Sequence, residues 1–144
     1  MPTHVDRDLM VRLLREQFAA VAELGAGLDG DAWASPTCLP GWTVKDNVSH
    51  MVGTEAMLLG ERPPEADVSH LGHVRNDIAR SNELWVESMR PRSGAEVLAR
   101  FHDVTERRLA ALDAMSQSEF DAPSWTPAGP DETYGRFMRI RHYD

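Results

Sequence analysis

Six histidines and a single cysteine set the range of chemistry open to this chain: His4, His50, His70, His73, His102, His142 and Cys38. No two histidines stand four apart on a helix, the spacing with which one helical face grips a metal ion. His70 and His73 are three apart but straddle Leu71-Gly72 and an expected helix start, and spacing of that kind is weak evidence of ligation. His102 follows an apolar Phe101 and reads as surface; His4 is terminal. His50 falls in the middle of an expected helix, on the side of Asn47, Thr54 and Met57. That side is off the centre of the Val44/Met51/Leu58 stripe, so periodicity alone makes His50 a flank residue. Glu55 lies near the centre of the same stripe, where a carboxylate is costly unless paired. Arg80 or Arg108 from a neighbouring helix would satisfy it, as would a metal ion; the structural pairing is the expectation. Cys38 lies in a Pro-rich loop with no His or Lys beside it, so it reads as an ordinary residue and not an activated thiol. No Ser/His/Asp or Cys/His arrangement for nucleophilic catalysis is visible.

The elements that would position these residues are helical. Met10, Leu14, Phe18, Val21, Leu24 and Leu28 step by three and four, which predicts a first helix over about 6–28. Residues 34–42, with two prolines and a Pro-Gly pair, predict a loop. Thr43 opens the next helix, with Asp46 three residues on as a capping-box partner. Val44, Val48, Met51, Val52, Leu58 and Leu59 form its apolar stripe, and Gly60 ends it. A third helix is expected over about 73–90, stopped by Pro91. Ser93 with Glu96 opens a fourth, running through Leu98, Phe101, Thr105, Leu109, Leu112 and Met115. A Pro-rich loop over 122–130 precedes a last helical start near Thr133. No run alternates as a strand bounded by hairpin turns, so the chain reads as all-α.

The length, 144 residues, suits one domain with a core of its own. A formal net charge of −8 argues against a nucleic-acid partner. The one basic stretch, Arg136 to Arg141, reads as a solvated helix face. No segment approaches the ~18 apolar residues of a membrane span, and no signal peptide is visible. The lone cysteine suits a reducing, cytoplasmic setting.

The segment from Leu39 to Glu55, Leu-Pro-Gly-Trp-Thr-Val-Lys-Asp-Asn-Val-Ser-His-Met-Val-Gly-Thr-Glu, resembles the signature of the mycothiol-dependent maleylpyruvate isomerase family. Trp33 followed by Ser35-Pro36-Thr37 fits the lead-in. Trp125-Thr-Pro-Ala-Gly and the stretch from Phe137 to Asp144 support it. The resemblance implies a DinB-like four-helix bundle with up-down-down-up connectivity, and a divalent metal, zinc first, on three ligands. His50 matches the histidine of the second long helix and Asp144 the acidic position of the last. The remaining ligand would be a His four residues beyond Asp144. The resemblance thus implies that residues 1–144 form a single metal-binding N-terminal domain, cut within its last helix from a longer chain with a C-terminal domain.

It further implies mycothiol as co-substrate. The metal would hold the thiol as thiolate, and the thiolate would add to an electrophile. In an isomerase it would add to the conjugated double bond of a maleyl group, which rotates and re-forms as trans when the thiolate leaves. An isomerase or thiol-transferase domain is therefore the expected function, with a small thiol and an electrophile as partners and neither nucleic acid nor membrane. The specific electrophile and the oligomeric state do not follow. A non-catalytic helical module for a partner or attached domain, with Met57, Trp85 and Met89 at an interface, is the alternative. A helical stress protein with a structural metal is a third.

Overall fold

The computed structural model describes residues 1–144. In chain order the elements are α1 (Arg7–Ala26), α2 (Gly30–Trp33), α3 (Val44–Leu58), α4 (Asp77–Met89), α5 (Gly94–Ala114), α6 (Gln117–Phe120), β1 (Pro123–Thr126), β2 (Gly129–Thr133) and α7 (Tyr134–Tyr143). The fold is mostly helical, as expected, and the predicted helices 6–28 and 93–115 agree with α1 and α5 to within a residue or two. Two expectations need correction. Residues 123–133 form an antiparallel hairpin, with Pro123 opposite Thr133 and Thr126 opposite Gly129, where a loop in an all-α chain was expected. The third long helix starts at Asp77, capped by Asn76 on the amide of Ala79, and not at His73.

Two compact units divide the chain, one of residues 1–21 and 109–144, the other of residues 22–108. The first is closed by polar contacts between distant parts of the sequence. The Thr3 amide donates to Glu132 Oε2 at 3.0 Å and the Thr133 hydroxyl donates to the Thr3 carbonyl at 2.6 Å. Thr133 also caps α7, its Oγ1 accepting from the Arg136 amide. α5 has no basic residue in its last turn. Arg7 supplies the charge from outside, donating to the carbonyls of Leu112 and Asp113 at 3.0 and 2.7 Å, where the helix dipole is negative. Met10, Val11, Leu14, Phe18, Leu112, Phe120, Phe137 and Met138 are its buried apolar residues.

In the second unit, the start of α3 is the predicted capping box: the Thr43 amide donates to Asp46 Oδ2 at 2.9 Å, and Thr43 Oγ1 accepts from the Asp46 amide. The Ser93/Glu96 box at α5 forms likewise. Lys45 serves the end of α4 as Arg7 serves α5, its Nζ donating to the carbonyls of Arg90 and Arg92 at 2.8 and 2.6 Å.

The buried face of α3 runs through Val48, Ser49, Val52, Gly53, Glu55 and Ala56, rotated from the expected stripe, whose Met51 and Leu58 are half-buried. Small residues bring α3 and α4 close. A Cβ on Gly53 would lie 2.4 Å from Cγ of Trp85. Glu55 finds the structural partner foreseen for it, Arg108, whose Nε donates to Oε2 at 2.8 Å; both side chains are 2% exposed.

Candidate functional site

Chemistry-bearing side chains concentrate in the second unit where residues 35–44 lead into α3. Leu39-Pro40-Gly41-Trp42 is a tight turn, closed by the Trp42 amide on the Leu39 carbonyl at 3.1 Å. Pro40 supplies the fixed φ of the second turn position. Gly41, at φ +79, supplies the left-handed third position that a type II turn requires. The turn is tied down by Thr37, whose amide and hydroxyl both donate to the Trp42 carbonyl, and by the Val44 amide on the Ser35 carbonyl. Asn47 adds a bond from its side chain to the Thr43 carbonyl. This network is the physical content of the Pro-Gly-Trp-Thr signature: it delivers the Trp42 indole to a fixed place beside α3.

The indole meets His50. Their ring centroids are 5.4 Å apart with planes tilted by 40°. His50 is half-buried, and its carbonyl accepts from the Thr54 hydroxyl. On the other edge, Trp42 Nε1–H donates to Glu83 Oε1 at 2.8 Å. The same oxygen lies 2.6 Å from His73 Nε2. Glu83 is 2% exposed and His73 53% exposed, so a buried carboxylate holds a surface imidazole. Arg90 lies behind, with Nη2 at 3.9 Å from Glu83 Oε2, Nη1 donating to Asp46 at 3.0 Å and Nε to Glu87 at 2.6 Å. Burial pulls the Arg90 guanidinium down, but the Glu87 hydrogen bond and the charges of Asp46, Glu87 and Glu83 outweigh it, and the net direction is upward. Over these groups opens a cleft of about 310 Å³ lined by Leu39, Pro40, Trp42, His73, Asn82 and Glu83.

Trp42 fixes the entry of α3 while only half-buried, through its N–H on Glu83 as much as through its area. Trp42→Phe keeps a ring against His50 and removes a hydrogen bond to a buried carboxylate. It should lower stability by about 1–3 kcal/mol in urea denaturation. A change within experimental error would show that Glu83 does not depend on the indole.

Glu83 was not singled out in the sequence, although a signal existed. It stands three residues before the buried Val86 and six before Met89, on the apolar face of α4, where a carboxylate is anomalous. His70 is exposed, and His73 pairs with Glu83 and not with His70. His102 is exposed, as expected, and Cys38 is exposed too. Asp144, in the first unit, has its carboxylate on the Arg141 guanidinium and its amide on the Ile140 carbonyl at 3.0 Å. The His142 backbone carbonyl accepts from Gln17 Nε2 at 2.7 Å. No group of three or more His, Cys, Asp or Glu side chains comes together as a ready metal cage. No helix is long and apolar enough to cross a membrane.

Among curated proteins none matches this sequence. Among solved structures, the sibling lethal factor precursor DfsB superposes with a TM-score of 0.67 at 14% identity, over 96% of this chain and 87% of its own. The colibactin self-resistance protein ClbS, solved in complex with a double-stranded DNA, superposes with a TM-score of 0.65 at 13% identity, over 94% and 86%. At such identities the likeness is one of fold. The family pattern described as the mycothiol maleylpyruvate isomerase N-terminal domain matches residues 14–144, which takes in the Trp42 turn, His50, Glu83 and Asp144. The chain therefore belongs to the mycothiol maleylpyruvate isomerase N-terminal domain family.

Proposed function

We propose that this chain is the divalent-metal-binding domain of a cytoplasmic, mycothiol-dependent isomerase or thiol transferase, with His50 and Asp144 as metal ligands. The observation that carries the reading is the family match together with a His50 ring braced by the Trp42 of the signature turn. An imidazole and a carboxylate are both zinc-type donors, so the two residues suit the group. They are two of the three ligands the resemblance implies. The long helices are proposed to form the DinB-like bundle in up-down-down-up order.

A bound divalent cation supplies the positive charge that favours the thiolate of mycothiol near neutral pH. The chain's own residues do the positioning. Thr37, Ser35 and Asn47 hold the turn, the turn holds Trp42, and Trp42 limits the orientations of the His50 ring. Arg141 holds the Asp144 carboxylate in place through its guanidinium. No protein nucleophile is required, because the attacking sulfur belongs to the co-substrate. The partners are then a small thiol and a small electrophile. Nucleic acid stays outside the proposal: 23 acidic against 15 basic residues oppose binding to a phosphate backbone.

The test is zinc competition titration on the native chain, His50→Ala and Asp144→Asn, with mycothiol-dependent isomerisation of a maleyl substrate measured alongside. His50→Ala should weaken zinc binding by about a hundredfold or more and remove thiol-dependent turnover, while far-UV circular dichroism stays unchanged. Unaltered zinc affinity in His50→Ala would replace the metal-thiol reading with a non-catalytic helical module. The scarcity of converging ligands is the observation on the side of that second reading.

A further inference from the structure

We propose that the cleft above Glu83 binds a small organic cation, a primary ammonium on an apolar body, with Glu83 as counter-ion and Trp42 as an aromatic wall. The cleft, about 310 Å³, is large enough for a ligand of roughly ten heavy atoms. Leu39, Pro40, Ala79 and the Trp42 ring give it apolar walls; the Trp42 N–H and His73 meet at one carboxylate, Glu83, and Asn82 is the other polar group of the lining. That combination excludes a bare metal ion, which would want several oxygen or nitrogen donors, and it excludes an anion on charge.

The charge balance argues for a cation. Asp46, Glu83 and Glu87 present three carboxylates to one guanidinium, Arg90. Arg90 makes its hydrogen bonds to Asp46 and Glu87 and stands off at 3.9 Å from Glu83 Oε2. That oxygen is buried and has no hydrogen-bond partner. Glu83 is thus a buried carboxylate short of positive charge, and a second cation beside it is favourable. In this structure His73 occupies the hydrogen-bonding position on Oε1, at 2.6 Å. His73 comes from the segment before α4, and its side chain is 53% exposed, so it can be displaced outward without disturbing the core. An ammonium ion replacing it would keep the hydrogen bond to Oε1 and place its methylenes on Pro40 and the indole. Attraction to the Trp42 π-face would add to the ion pair. None of these groups is a proposed metal ligand, so the proposal stands apart from the metal-thiol reading and is tested without zinc or mycothiol.

The experiment uses phenethylammonium and its neutral counterpart 2-phenylethanol, followed through the indole N–H resonance of Trp42, which is assigned by its loss in Trp42→Phe. The ammonium should shift that resonance and saturate in the millimolar range, with the alcohol binding about tenfold more weakly or worse. His73→Ala should tighten ammonium binding several-fold by removing the resident competitor, and Glu83→Gln should abolish it. Should Glu83→Gln fail to fold, the ammonium-to-alcohol ratio and the response of His73→Ala decide the matter. Equal affinity for the two probes would overturn the proposal. So would an unmoved Trp42 resonance in both the native chain and His73→Ala, or undiminished binding in folded Glu83→Gln.

Discussion

Arg108→Leu should lower the unfolding free energy by about 3–5 kcal/mol, the cost of leaving a charge buried after its partner is removed. Arg108 and Glu55 are each 2% exposed and joined by a 2.8 Å hydrogen bond, so water cannot take over the lost contact. Removing both charges should cost much less than removing one, because the desolvation penalty disappears along with the attraction. Glu55→Met combined with Arg108→Leu should therefore recover a large part of the loss, a non-additivity that a double-mutant cycle reads directly. Urea denaturation of the two single variants and the double variant is the measurement. A double variant no more stable than Arg108→Leu would mean that the pair is not the dominant partner of either charge.

Gly53→Ala should destabilise by about 2–3 kcal/mol although alanine is the better helix former. The added methyl would lie 2.4 Å from Cγ and 2.5 Å from Cβ of Trp85. Those atoms are the root of a side chain that is itself 6% exposed, so it cannot swing clear. Either the indole leaves its rotamer or α3 and α4 separate. The intrinsic preference of roughly 0.5–1 kcal/mol for Ala over Gly in a helix interior is too small to offset that. Gly30→Ala is the control: nothing lies within 4 Å of a Cβ there, and it should be nearly neutral. Thermal unfolding by circular dichroism distinguishes the two. A Gly53→Ala protein as stable as the native chain would show that the helices can part without cost.

Where the sequence was legible, one local interaction determined the outcome. Thr43 with Asp46 and Ser93 with Glu96 are reciprocal caps three residues apart, and both close as the spacing requires. Glu55 was identifiable as a carboxylate on an apolar stripe, and the same argument applied to α4 would have found Glu83. The Glu83 site as a whole was not legible, because its members meet from a turn, a connecting segment and a helix. Trp42 and Glu83 are forty-one residues apart, and no periodicity records such a meeting. The hairpin escaped for a different reason. Its strands are four and five residues long, begin with Pro123 and Gly129, and carry a register shift between Ser124 and Thr126. Too few alternating positions remain to set a pattern against the proline signals. The α3 stripe was misplaced by its larger residues: Met51 and Leu58 outweigh Ser49 and Gly53 on any hydrophobic count, yet the small residues face the closest neighbour.

The polar partners of α1 within the first unit, Leu112, Asp113 and His142, have a consequence during synthesis. When α1 emerges from the ribosome, none of them yet exists. At about 5–20 residues per second, several seconds pass while residues 22–108, a compact unit with a core of its own, are added and can begin to close. Through that interval Met10, Leu14 and Phe18, buried in the finished fold, stand on a helix whose polar partners in the first unit are still missing. It is the part of the nascent chain that holding chaperones should recognise first, and that should aggregate first in their absence.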